Sequence, residues 1–344
     1  MKPIVFYIFA GFFLATIFSC GKESFTRVGM ANDHFFLQNE GQNMPVRVAG
    51  NLSSDKLLVI IHGGPGGSAL EFRSAYVVQN VESKFAVVYW DQRYAGGSQG
   101  NGGTSSIDQF RKDLKKLLFL LKEKYGSDKK LYLMGHSWGG FLAPYFLIED
   151  NNQQMIAGLI QADGAFNPRT NQVMKEAFLN YGAAEISAGR NEKFWKEIID
   201  FCNSPEYKEN DYNVMIRLNK WAHEAEDKLK HLKPNEPENK MAPDNHIPLI
   251  SHALAMFNSS RQGIYKEAYE TNPVAGNINK ISLPVLLLWG KHDLVCPVKM
   301  MDVFMQGISS TDVQTHIFNG SFHRPMENEP VEYWNTLTEW MEQH

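Results

Sequence analysis

Cysteine is nearly missing from this sequence: three in 344 residues, at Cys20, Cys202 and Cys296. None stands in the C-x-x-C or Cys/His spacings that hold zinc or carry thiol redox chemistry. That argues against a metal-stapled fold, and Cys202 and Cys296 read as unpaired thiols, with a disulfide between them as the alternative in an exported protein. The histidines His223, His231, His246 and His252 are in no ligand spacing either, so neither a metal nor an organic cofactor is expected. Basic clusters interleaved with aromatics are absent, and the formal net charge is −4. Nucleic acid is therefore not an expected partner. Internal repeats and low-complexity tracts are missing as well, and a long apolar run occurs once, at the N-terminus.

That run, "MKPIVFYIFAGFFLATIFS", carries a single charge, Lys2, and reads as a signal peptide over residues 1–19. It is shorter than a comfortable bilayer span of about 20 residues. Ser19 directly before Cys20 resembles the lipobox of a bacterial lipoprotein, in which the cysteine is lipidated and becomes the new N-terminus. The expectation is an exported protein held by a lipid on Cys20, with residues 20–24 as a short linker, facing the periplasm or cell exterior. An uncleaved N-terminal anchor is the alternative.

What is present is the composition of a folded globular protein, 43% hydrophobic and 21% charged. Short apolar runs of strand length lie at 57–61, 85–90, 131–134 and 155–161, and two more at 284–290 and 313–320. Between the second and third, "SIDQFRKDLKKLLFLLKEKYG" repeats apolar residues at helical spacing. Strands alternating with helices predict an α/β fold, a doubly wound, mostly parallel sheet. The segment "HFFLQ" to "PVRVAG" predicts an antiparallel hairpin at its edge. Residues 166–280 are rich in helix formers and poor in strands, which predicts an inserted helical cap between a first core part, 25–165, and a second, 281–344. Within it, "HLKPNEPENKMAPDNHIP" at 231–248 reads as a surface loop.

In such a sheet the chemistry lies on loops after the C-terminal strand ends. After the third strand comes Gly135-His136-Ser137-Trp138-Gly139, a sharp strand-to-helix turn that exposes a serine hydroxyl between glycines that remove clashing Cβ atoms. After the first comes "HGGPGG" at 62–67, whose glycines allow a backbone N–H to approach a substrate oxygen. Asp91 and Arg93, after the second, are expected to form a structural ion pair. Asp293 follows the late strand and His323 the last one. The order Ser, Asp, His after these strands assigns Ser137 as nucleophile, His323 as general base and acid, and Asp293 as the group that orients the imidazole. The backbone N–H groups of Trp138 and Gly64 are the expected oxyanion hole.

Together "HGGPGG", "YWDQR" at 89–93, "GHSWGG" at 135–140, "GKHDLVCP" at 290–297 and "FHRP" at 322–325 resemble the proline iminopeptidase group of α/β-hydrolases. The resemblance implies an α/β-hydrolase fold and a serine peptidase that removes N-terminal residues from small peptides, with cap carboxylates gripping the free amine. Candidates for that grip are Glu176, Glu185, Glu192, Glu197, Glu206, Glu224 and Glu226. Two departures from the group's pattern lie near the pocket: Tyr94-Ala95 interrupt the turn after "DQR", and His136 replaces a glycine. An esterase or lactonase of small molecules is the competing expectation, because the same triad serves any acyl transfer. A non-catalytic binding protein on this scaffold fits the intact triad less well, and a dehalogenase or epoxide hydrolase would carry Asp in place of Ser137.

Overall fold

The computed structural model describes residues 29–100, 105–236, 239–247 and 259–344. The expected signal peptide and Cys20 lie outside the described residues. Eight strands form one sheet: β1 (Met30–Asn39), β2 (Gln42–Asn51), β3 (Lys56–Ile61), β4 (Ala86–Trp90), β5 (Lys130–His136), β6 (Ile156–Ala162), β7 (Val285–Gly290) and β8 (Val313–Phe318). Their order is β1-β2-β4-β3-β5-β6-β7-β8. The first two make the edge hairpin, antiparallel to each other and to β4, and every pairing from β4 to β8 is parallel.

Strands β4 and β7 are buried along their whole length and β3 beyond its first residue, which is why they read as unbroken apolar runs and not as alternating ones. The helix α1 (Ala75–Asn80) and the helix α2 (Ile107–Tyr125) follow β3 and β4. In α2, Ser106 caps the start by accepting from the Gln109 N–H at 3.2 Å, and the buried stripe is Ile107, Phe110, Leu114, Leu117, Leu118 and Leu121. Gly126, at φ +125°, ends it.

The elbow leads into α3 (Gly139–Leu147), which is apolar on nearly every face and holds Pro144. Between β6 and β7 run α4 (Asn171–Ser187), α5 (Glu192–Asn203), α6 (Tyr212–Lys228) and α7 (Ser259–Thr271). The chain closes with α8 (Lys299–Gly307), the single turn α9 (Pro325–Asn328) and α10 (Pro330–Gln343). Cys202 and Cys296 are free and buried. Among the described residues no helix is long and apolar enough to cross a membrane.

One local expectation is corrected. Asp91 and Arg93 do not pair. Arg93 forms a fully buried ion pair with Asp113 of α2, its Nη2 2.8 Å from Oδ1, while Asp91 accepts from Ser68 Oγ and the Ala69 and Gly97 N–H groups at 2.8 to 2.9 Å. Both stay structural, but each is held by a different partner: α2 brings Asp113 to Arg93, while the loop after β3 and the turn at Gly97 bring their donors to Asp91. The described residues between 231 and 247 are mostly exposed, as a surface loop would be, and are tied to the core by ion pairs. Asp244 pairs with Arg47 of β2 and with Arg73, each at 2.5 Å, and Asn245 donates to the Arg73 carbonyl at 2.7 Å. Arg73 is held in turn by Glu82.

Candidate active site

Ser137 sits at the turn between β5 and α3 with φ +52°, a conformation rare for a residue with a Cβ. The glycines around it are steric necessities: a Cβ on Gly139 would overlap the Ile61 carbonyl oxygen, and one on Gly135 would overlap the carbonyl of Gly139. The Ser137 carbonyl accepts from the Gly140 and Ala165 N–H groups at 2.8 and 2.9 Å, which fixes the strained residue from both sides.

The loops after β7 and β8 bring the acid and the base together. His323 Nδ1 lies 2.8 Å from Asp293 Oδ2, and Asp293 Oδ1 accepts from the Val295 and Cys296 N–H groups at 2.7 and 2.9 Å. Both side chains are buried. With Nδ1 protonated toward Asp293, the other ring nitrogen is free to act as a base. Ser137 and His323 line one cavity of about 730 Å³, together with Gly63 and Gly64 from the β3 loop. Gly63 comes so close that a Cβ there would stand 3.1 Å from that of Ser137, and Gly64 has φ +121°. Trp138 is locked by its indole N–H, which donates to Gln92 Oε1 at 3.0 Å, while Gln92 Nε2 donates to the His62 carbonyl at 2.9 Å. The "DQR" and "HGG" motifs therefore hold each other and the residue after the serine.

Sequence reasoning left several contributors unassigned. His136 is buried, its Nε2 donates to the His323 carbonyl at 2.8 Å, and its ring lies 4.9 Å from that of His323. Burial first, then the neighbouring His323 and Arg324, hold its pKa well below the usual histidine value, so it is neutral. Asp163, directly after β6, is wholly buried beside the acid. On α6 the cavity is lined by Tyr212, Ile216, Asn219, His223 and Glu226, a stripe at steps of four and three next to the buried stripe of Leu218, Ala222 and Ala225. That spacing was readable; its mixed polarity hid it.

Of the seven acids proposed from the sequence, Glu226 lines the cavity. Glu176 pairs with Lys299, Glu185 with Arg190, Glu192 with Lys196, Glu206 with Arg217 and Glu224 with Lys220, and Glu197 is exposed. Glu226 is half-buried, 3.4 Å from the His323 N–H, and burial raises its pKa above the usual carboxylate value. Glu71, on the core side of the same cavity, is 3.1 Å from Arg324, which also pairs with Glu327 at 2.6 Å.

Asp293, Cys296 and His323 place three metal-competent atoms within 4.8 Å of one another. Two of these are bonded to each other, and burial drives the thiol well above its ordinary pKa. The arrangement suits proton transfer better than metal binding.

Comparison with known proteins agrees with this geometry. Residues 56–194 match the alpha/beta hydrolase fold family, and residues 257–331 match the family described as "Serine aminopeptidase, S33". The chain is 26% identical over 297 residues to a probable aminopeptidase, YbaC, of Bacillus subtilis (strain 168), covering 84% of this chain and 89% of that one. It is 27% identical over 302 residues to a proline iminopeptidase of Saccharolobus solfataricus, covering 84% and 86%. Among solved structures, an esterase from Exiguobacterium antarcticum superposes with a TM-score of 0.55 at 17% identity, over 90% of this chain and 98% of that one. At that identity the likeness concerns the fold alone.

Proposed function

We propose that this chain, an α/β-hydrolase resembling the proline iminopeptidase group, is a serine aminopeptidase that releases N-terminal residues from small peptides through an acyl-enzyme on Ser137. Ser137 Oγ attacks the carbonyl carbon of the first peptide bond while His323 Nε2 takes its proton. Asp293, bonded to Nδ1–H, fixes the tautomer and stabilises the imidazolium that forms. The N–H groups of Trp138 and Gly64 receive the oxyanion, each such donor being worth about 3 to 4 kcal/mol in the transition state. Collapse breaks the C–N bond, His323 hands its proton to the leaving amine, and a water deprotonated by His323 then frees the acyl group from Ser137.

Glu226 is the observation that favours a peptidase over an esterase. It is a half-buried carboxylate on the wall of the cavity that holds Ser137 and His323. Arg324 nearby is already outnumbered by Glu71 and Glu327, so the cavity's polar rim carries a net negative charge that suits an ammonium and not a second carboxylate. A substrate amine paired with Glu226 gains a charge-assisted hydrogen bond worth about 1.5 to 3 kcal/mol, roughly ten- to more than a hundredfold in binding.

The test compares prolyl and alanyl arylamides with their N-acetyl forms on the wild type and on Glu226→Gln. Free-amine substrates should be cleaved far faster, and Glu226→Gln should erase most of that preference. If only blocked substrates and p-nitrophenyl esters are turned over, the enzyme is an esterase acting on small carboxylic esters, the reading that the apolar wall of Phe72, Ile216, Val295 and Tyr265 would then serve. Export and anchoring through a lipid on Cys20 belong to the same proposal. Cys20→Ser should release the protein from the membrane fraction or block processing.

A further inference from the structure

Strand β6 ends at Ala162, and the next residue, Asp163, is fixed from three directions. Its φ is +46°, its N–H donates to the Leu288 carbonyl at 3.0 Å, and its Oδ1 accepts from the Gly290 N–H at 2.8 Å. The residue is wholly buried. Its other oxygen, Oδ2, is sealed from solvent and receives no hydrogen bond from any donor among the described residues. The group within hydrogen-bonding reach of the side chain is the carboxylate of Asp293.

A buried carboxylate oxygen that faces another carboxylate and has no donor cannot remain charged cheaply; two acids in that position share a proton. Asp293 has room for it. A carboxylate offers about four lone-pair sites, and three are filled, by His323 Nδ1 and by the Val295 and Cys296 N–H groups.

We propose that Asp163 is a neutral carboxylic acid in the resting protein and that its Oδ2–H donates to Asp293, making Asp163 a positioning residue for the carboxylate that orients His323. Burial first, and the Asp293 charge second, push the Asp163 carboxyl well above the usual carboxylate range. The other titratable groups facing it are Glu226, Cys296 and Tyr333, each an acid, thiol or phenol and none a counter-ion. The shared proton ties the end of β6 to the loop after β7 and supplies a fourth hydrogen bond to Asp293, which fixes the carboxylate that orients His323.

The role rests on the Ser137–His323–Asp293 reading, but its direct test needs no substrate. Infrared difference spectra between wild type and Asp163→Asn at neutral pH should show the loss of one protonated-carboxyl C=O band. Loss of ionised-carboxylate bands in its place would overturn the proposal. Kinetics give the second arm. Asp163→Leu should lower kcat about ten- to a hundredfold with little change in KM, because a hydrogen bond to a charged group is lost. Asp163→Asn, whose amide can still donate to Asp293, should recover most of that loss and keep the acid limb of kcat/KM where the wild type has it. An acid limb displaced downward by about one unit or more in Asp163→Asn would mean that a negative charge had been removed, and that Asp163 is ionised.

Discussion

His136 Nε2 donates to the backbone carbonyl of His323 at 2.8 Å, with the two imidazole rings 4.9 Å apart. The residue before the elbow serine thus holds the main chain of the histidine that lines the same cavity as the serine. Elbow and base keep their register through this bond, although 187 residues separate the two histidines.

His136→Leu should therefore lower kcat about five- to a hundredfold, the cost of leaving a buried carbonyl unpaired. KM should change little, since the bond positions the base and not the substrate. His136→Gln, whose amide can replace the donor, should recover most of the activity. Because His136 is neutral, neither variant should alter the number of ionisations in the pH profile of kcat/KM. Equal losses in both variants would assign His136 to packing alone.

The elbow is equally testable through its glycines. Gly139→Ala should destabilise by about 1 to 3 kcal/mol or more, since the new methyl meets the rigid Ile61 carbonyl and not a flexible side chain. Denaturant titration should show the loss with an unchanged m-value. A Gly139→Ala protein as stable as the wild type would mean that α3 does not approach β3 this closely.

The buried pair of Arg93 and Asp113 is structural, both side chains being 0% exposed. Asp113→Leu removes the carboxylate that pairs with a buried guanidinium and should cost about 3 to 5 kcal/mol, whereas the double change Arg93→Met with Asp113→Leu should recover much of it. Thermal unfolding of the wild type and the two variants measures this. A single variant no less stable than the double would contradict it.

Asp244 makes a prediction in pH. Its bonds to Arg47 and Arg73, opposed by partial burial, lower its pKa from 3.8 to about 2. A depressed carboxylate stabilises the fold above the unfolded value and ceases to do so as pH falls through the folded value. Asp244→Asn should thus be less stable than wild type at neutral pH, by an amount that is constant down to about pH 4 and vanishes by about pH 2. A stability difference independent of pH would show that shape, and not charge, holds this segment.

Much of this was legible because the relevant signals are local. The central strands of the sheet are buried along almost their whole length, so they stand out as short apolar runs, and Ser137, Asp293 and His323 each lie on the loop or turn that follows a strand. What was not legible depends on partners brought in by the fold. Arg93 finds Asp113 and not Asp91 because α2 packs under the loop. Asp163 reads as an ordinary turn residue until β6 and β7 are seen side by side. Glu226 could not be separated from six other acids by composition, since it is the placement of α6 over the cavity, and its rotation, that bring Glu226 and not Glu224 to the wall.

The central claim is that Ser137 is the acylated nucleophile. Its most direct test is peptide-mapping mass spectrometry of the protein after treatment with a fluorophosphonate, with Ser137→Ala as the partner sample. The account expects a single adduct on Ser137, absent from the folded variant, whose turnover should fall on the order of a millionfold. An adduct on another residue, or near-normal turnover by purified, folded Ser137→Ala, would contradict it.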